Sequence, residues 1–69
     1  MKTVSIVIGF FERIQYLRTC LNCIARQNAL VEEVVIADDG SSEVVVQSIL
    51  AMKDRYPFKI IHAWQPKNG

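Results

Sequence analysis

The chain of 69 residues has little of what marks a membrane, nucleic-acid or disulfide-framework protein. Its formal charge is +1, and the basic residues Lys2, Arg13, Arg18, Arg26, Lys53, Arg55, Lys59 and Lys67 form no run. Nothing in that balance holds a phosphate backbone or an anionic bilayer by charge, so a nucleic-acid partner is not expected. No stretch approaches the roughly 18 uninterrupted apolar residues that a membrane span needs, so no transmembrane segment is expected. The first apolar run, Val4 to Phe11, is interrupted by Ser5 and Gly9. A secretory leader has a longer apolar centre and a small-residue cleavage site, so this run reads as a strand and the chain as cytoplasmic.

Cysteine is scarce too. Cys20 and Cys23 make a C-x-x-C, but the pair falls inside a helical pattern rather than at a helix start, where a thiol pKa is lowered. Helix geometry disfavours a bridge between positions three apart. Zinc takes four ligands, and only His62 is left to join the two thiols. Both cysteines therefore read as small packing residues.

What is present is apolar residues, 51% of the chain, arranged in changing periods. This suits one small globular domain, although a chain this short buries only about 60% of its unfolded surface. Val4-Ser5-Ile6-Val7-Ile8 is a β-branched run that predicts a strand covered on both faces. Gly9 then removes the side chain where the strand is expected to end, allowing a sharp turn or a close approach of backbone to ligand. Phe10 reads as core; Phe11 reads equally as core or as a ligand-facing ring. From Arg13 to Gln27, Ile14, Leu17, Leu21 and Ile24 recur at helical spacing with Cys20 alongside, Glu12 stands beside the positive helix end, and Asn28 is a plausible stop residue.

After a link over Leu30 to Glu33, Val34 to Ala37 predicts a second, central strand. Asp38 and Asp39 end it, Gly40 turns the chain, and Ser41 or Ser42 caps the next helix. That helix is expected from Glu43 to Tyr56, with Val45, Ile49, Met52 and Tyr56 on one stripe widened by Val46 and Leu50, and Pro57 closing it. Phe58 to Trp64 predicts a third strand nearer the sheet edge, and His62 within it reads as a partly buried or solvated strand histidine. The residues from Gln65 onward read as a loop. Strands alternating with helices imply an α/β fold, β-α-β-α-β, with a three-stranded parallel sheet.

The segment Val34-Val35-Ile36-Ala37-Asp38-Asp39-Gly40-Ser41-Ser42 is the centre of this pattern. A buried strand empties into a polar turn, the kind of sheet edge where α/β proteins hold ligands. Asp38 is placed to support the turn by bonding backbone amides, with Gly40 supplying the bend. By spacing alone, the pair also fits an ordinary Asp-Asp-Gly turn feeding a helix.

That segment, together with Val4-Ser5-Ile6-Val7-Ile8, Phe11, Arg13, Leu17 and the ending Trp64-Gln65-Pro66-Lys67-Asn68-Gly69, resembles the start of family 2 glycosyltransferases. The resemblance runs in register along the whole chain. It implies the Rossmann-like half of a GT-A domain with strand order 3-2-1, residues 1–69 being the N-terminal nucleotide-sugar-binding portion of a truncated glycosyltransferase domain. Such enzymes move a sugar from a nucleoside diphosphate donor to an acceptor with a divalent cation, Mn or Mg. By the resemblance, the nucleotide-binding positions are Gly9, Phe11, Glu12 and Asp39. Phe11 would stack on the base. Asp39, an acceptor, would take a hydrogen bond from the base edge, as suits a uracil imide N–H, so a UDP-type donor is expected. The chain departs from the family at Gly9, where proline is usual, and at Glu12, where asparagine is usual.

The family's metal-binding Asp-x-Asp and catalytic base lie further along such chains, and neither motif stands here. The resemblance therefore implies no catalytic residue, no metal ligand and no cofactor within these residues, and an inactive fragment. Without a partner for its outer side, the first strand would offer an apolar edge to a second copy, so a homodimer through that strand is expected. A competing reading is a non-catalytic α/β nucleotide-binding or oligomerisation module. A flavodoxin-like or response-regulator-like domain fits less well, because it expects its acidic pair after the first strand.

Overall fold

The computed structural model describes residues 4–27 and 31–66. The elements follow in the order β1 (Val4–Phe10), α1 (Ile14–Gln27), β2 (Val31–Asp39), α2 (Glu43–Met52), a single 3-10 turn (Lys53–Arg55) and β3 (Lys59–Gln65). The three strands form one parallel sheet in the order β1-β2-β3, with β2 in the centre. The expected α/β architecture is present. Asn28, and the residues after Pro66, lie outside the described residues.

Both helices lie on the same face of the sheet. Leu17 and Leu21 of α1 share one core with Ile49 and Met52 of α2 and with Phe10, Val34, Ile36 and Ile60 of the strands. Two successive crossovers of one hand, stepping the same way across a sheet, put their helices on one side. Leu17, Leu21, Val34, Ile36 and Ile49 are completely buried, and each such side chain contributes about 1.5–3 kcal/mol relative to exposure.

This arrangement corrects the expectation of strands covered on both faces. Strand alternation sends Ile6, Ile8 and Phe10 under the helices and Val7 and Gly9 the other way. Val7 is 68% exposed, and Ala37 and Ala63, which share a register row with Gly9, are exposed as well. A continuous β-branched run reports a hydrophobic strand; it does not report whether the chain holds a second layer to cover it.

Other boundaries moved for local reasons. Gly9 does not turn the chain: it lies inside β1, paired with Ala37, and the turn comes at Phe11–Arg13, where Glu12 takes the left-handed conformation at φ 60. Val31–Glu33 belong to β2 rather than to a link, with an irregular register beside Val4. Helix α2 stops at Met52 and tightens into the 3-10 turn, and Tyr56, before Pro57, is extended as a residue preceding proline must be. Phe58 is buried just outside β3. Leu50 is 47% exposed and does not widen the packed stripe. Cys23 is exposed, so of the two free thiols only Cys20 is partly packed.

Candidate functional site

The carboxyl ends of the three strands bring Phe10, Asp38 and Trp64 into one register row. Alternation along β2 places Asp38 on the same face as Val34 and Ile36, under the helices. Its side chain is completely buried, and a buried carboxylate must be matched by donors. Oδ1 accepts the Ser41 amide at 3.0 Å and the Ser41 hydroxyl at 2.7 Å, while Oδ2 lies 2.7 Å from Nε2 of His62. Because a carboxylate offers only acceptors, the His62 tautomer that fits carries its proton on Nε2. The first two bonds close the Asp-Asp-Gly-Ser turn, whose bend falls on Gly40 at φ 85, a conformation that glycine adopts without penalty.

Asp39 points to the opposite face. Its Oδ1 is buried, with no hydrogen-bond partner among the described residues. An acceptor in that condition stands out, because buried polar atoms are nearly always paired. Next to it, the open face carries the row Gly9, Ala37 and Ala63. A side chain built at Gly9 would meet nothing within 4 Å, so the space above that backbone is free of protein atoms.

The second wall is the turn after β1. Phe11 is 41% exposed there. The left-handed Glu12 costs about 1–2 kcal/mol relative to ordinary backbone, and two contacts hold it: its amide donates to Ser41 Oγ at 2.8 Å, and its Oε2 accepts the Ser42 hydroxyl at 3.1 Å. Ser42 is the N-cap residue of α2, but its hydroxyl is spent on Glu12 and makes no capping bond. Glu12 therefore works as a tie between two turns rather than within the first turn of α1, which contains no acidic residue. Trp64 adds a third tie by donating its indole N–H to the Ser41 carbonyl at 3.0 Å.

The residues singled out from sequence thus meet at one sheet edge: Phe11 and Glu12 on the β1 turn, Asp38, Asp39 and Gly40 on the β2 turn, and Gly9 just below them. The contributions of Ser41, His62 and Trp64 were not legible beforehand. His62 faces Asp38 diagonally across two strands, a juxtaposition visible only once register is known. A shallow depression on α2 is lined by Glu43, Val44, Gln47, Ser48 and Ala51.

Among the described residues no donor set for a divalent cation comes together. Both oxygens of Asp38 are committed to internal bonds, and no group of three or more His, Cys, Asp or Glu side chains among the described residues could hold one. Among the described residues no helix is long and apolar enough to cross a membrane.

Comparison with known proteins adds one finding. The family model described as Glycosyl transferase family 2 matches residues 5–69. No curated protein and no solved structure matches the chain. The family match spans nearly all of the sequence, and the chain belongs to glycosyltransferase family 2.

Proposed function

We propose that this member of glycosyltransferase family 2 forms the nucleoside-binding portion of a donor site, taking the nucleotide part of a nucleoside diphosphate sugar, UDP-type by preference. The observation that carries the reading is the buried Oδ1 of Asp39 at the carboxyl end of the central strand, which has no hydrogen-bond partner among the described residues. A uracil imide N–H is the complementary donor. Phe11, partly exposed on the neighbouring turn, supplies a ring for stacking, and the free space at Gly9 admits the base edge. Glu12 shapes the wall between them. On this reading the sheet is the Rossmann-like half of a GT-A domain.

On this reading residues 1–69 hold the nucleoside and carry no catalytic residue. The sequence contains no Asp-x-Asp, so sugar transfer and its divalent cation belong to residues other than these. The test is an NMR titration with UDP, GDP and their sugars. Shifts should concentrate at Gly9–Glu12 and Asp38–Gly40, and Asp39→Asn should weaken UDP binding about tenfold by removing the charge of the acceptor and turning one of its two oxygens into a donor group. An absence of shifts at millimolar nucleotide overturns the proposal.

A second reading rests on β1. The strand pairs only with β2 among the described residues, and Val4 and Val7 are exposed along it. An apolar strand edge of this kind pairs with another copy, giving a homodimer with the two β1 strands antiparallel across a two-fold axis. Light scattering that finds a monomer at high concentration removes this reading without touching the first.

A further inference from the structure

We propose that His62 and Trp64 of β3 are positioning residues that preset the Phe11–Glu12 turn, acting through Asp38 and Ser41 without contacting the ligand. The use made of that turn rests on the nucleoside site proposed above; the geometry of the relay does not.

The relay has two arms that meet at Ser41. In the first, His62 Nε2 bonds Asp38 Oδ2 at 2.7 Å, and Asp38 Oδ1 accepts the Ser41 hydroxyl at 2.7 Å. A serine hydroxyl has one hydrogen and two acceptor positions. Giving that hydrogen to Asp38 leaves the lone pairs of Oγ for the Glu12 amide, which donates to it at 2.8 Å. His62 prevents the carboxylate from rotating, the carboxylate orients the hydroxyl, and the hydroxyl captures an amide on another strand's turn. In the second arm, Trp64 fixes the Ser41 carbonyl through its indole N–H at 3.0 Å. Ser41 is thereby held at its backbone amide, its carbonyl and its hydroxyl.

Glu12 is where this matters. It is the non-glycine residue with positive φ among the described residues, and a glutamate gains nothing from that conformation by itself. Strained backbone persists where surrounding contacts over-determine it, and such residues gather at ligand sites. The side chains of His62 and Asp38 are 6% and 0% exposed. This arm of the relay is therefore shielded from water, and its bonds are stronger for it. A histidine that only filled space in β3 would not require its Nε2 to reach the one buried carboxylate that orients Ser41.

Amide hydrogen exchange on the 69-residue chain tests the relay without ligand. His62→Phe keeps a ring and removes the donor, His62→Gln restores a donor, and Trp64→Phe removes the indole N–H at a half-exposed position. The expected result is an about tenfold loss of Glu12 amide protection in His62→Phe and in Trp64→Phe, relative to the Ile36 amide of the central strand, with partial recovery in His62→Gln. UDP affinity should fall with Glu12 protection. Unchanged Glu12 protection in both phenylalanine variants overturns the relay; if His62→Phe does not fold, Trp64→Phe decides alone. Loss of Glu12 protection with no UDP binding even by the unsubstituted chain sustains the relay and removes the nucleoside reading. Unchanged protection beside normal UDP binding does the reverse.

Discussion

Ser41→Ala is the substitution that best exposes what holds the site together. Ser41 is 4% exposed, and its hydroxyl makes two bonds at once, to Asp38 Oδ1 and from the Glu12 amide. A hydrogen bond to a charged group is worth about 1.5–3 kcal/mol, and a buried amide left without an acceptor costs about 1–3 kcal/mol. Asp38 keeps the Ser41 amide and His62, so the carboxylate is not stranded, and the Glu12 amide is only partly buried. The lower halves of both ranges apply, which gives a loss of about 2.5–4 kcal/mol. A chain of this length has a total stability of only about 3–10 kcal/mol. The substitution therefore removes a large share of it, and the urea midpoint should fall while the slope stays unchanged. Ser42→Ala is the control, because it deletes a single exposed bond to Glu12 Oε2 and should cost no more than about 1 kcal/mol. A Ser41→Ala loss below about 0.5 kcal/mol, or one equal to that of Ser42→Ala, refutes the reasoning.

Two glycines should respond in opposite ways. Gly9 is not left-handed and a side chain there meets no protein atom, so Gly9→Ala should stabilise by about 0.5 kcal/mol through the unfolded state, whereas Gly40→Ala, at φ 85, should cost about 1–2 kcal/mol; equal urea midpoints for the two variants would contradict this. The Tyr16 phenol is held above the usual tyrosine value first by its hydrogen bond with Cys20, then by electrostatic repulsion from that residue and by desolvation, with Arg13 opposing the shift. A raised folded-state pKa means that the folded chain holds the proton more tightly. Its contribution to stability is present below the unfolded-state value and fades as pH rises through the folded one. Cys20→Ala should bring the midpoint back down, read as tyrosinate absorbance against Tyr16→Phe, and an unmoved midpoint sinks the assignment.

Much of the fold is written in local pattern. The β-branched runs around Ile6 and Ile36, the helical spacing of Leu17 and Leu21, and the glycine after two aspartates each follow from short-range sterics and from period, so elements and their order could be read directly. The candidate site was legible as far as its two turns. Asp38 and Asp39 differ by one position, and alternation alone sends them to opposite faces, one satisfied beneath the helices and one with an unpaired oxygen above the sheet.

Other features depend on register and layering, which act between residues far apart in the chain. His62 looked unremarkable in β3 because its partner, Asp38, lies 24 positions away, and only the pairing of β2 with β3 brings them together. Gly9 was expected to end its strand, but pairing with Ala37 carries β1 on to Phe10, and the turn residue became Glu12, whose left-handed backbone depends on a serine 29 positions distant. The exposure of Val7, Ala37 and Ala63 on the second face of the sheet is likewise a property of where both helices went. The sequence by itself determined the elements, their order and the polar edge, since propensity and hydrophobic period act over a few residues. Only the tertiary structure decided which carboxylate is satisfied, which turn is strained and what holds it, because those depend on atoms brought close by strand pairing.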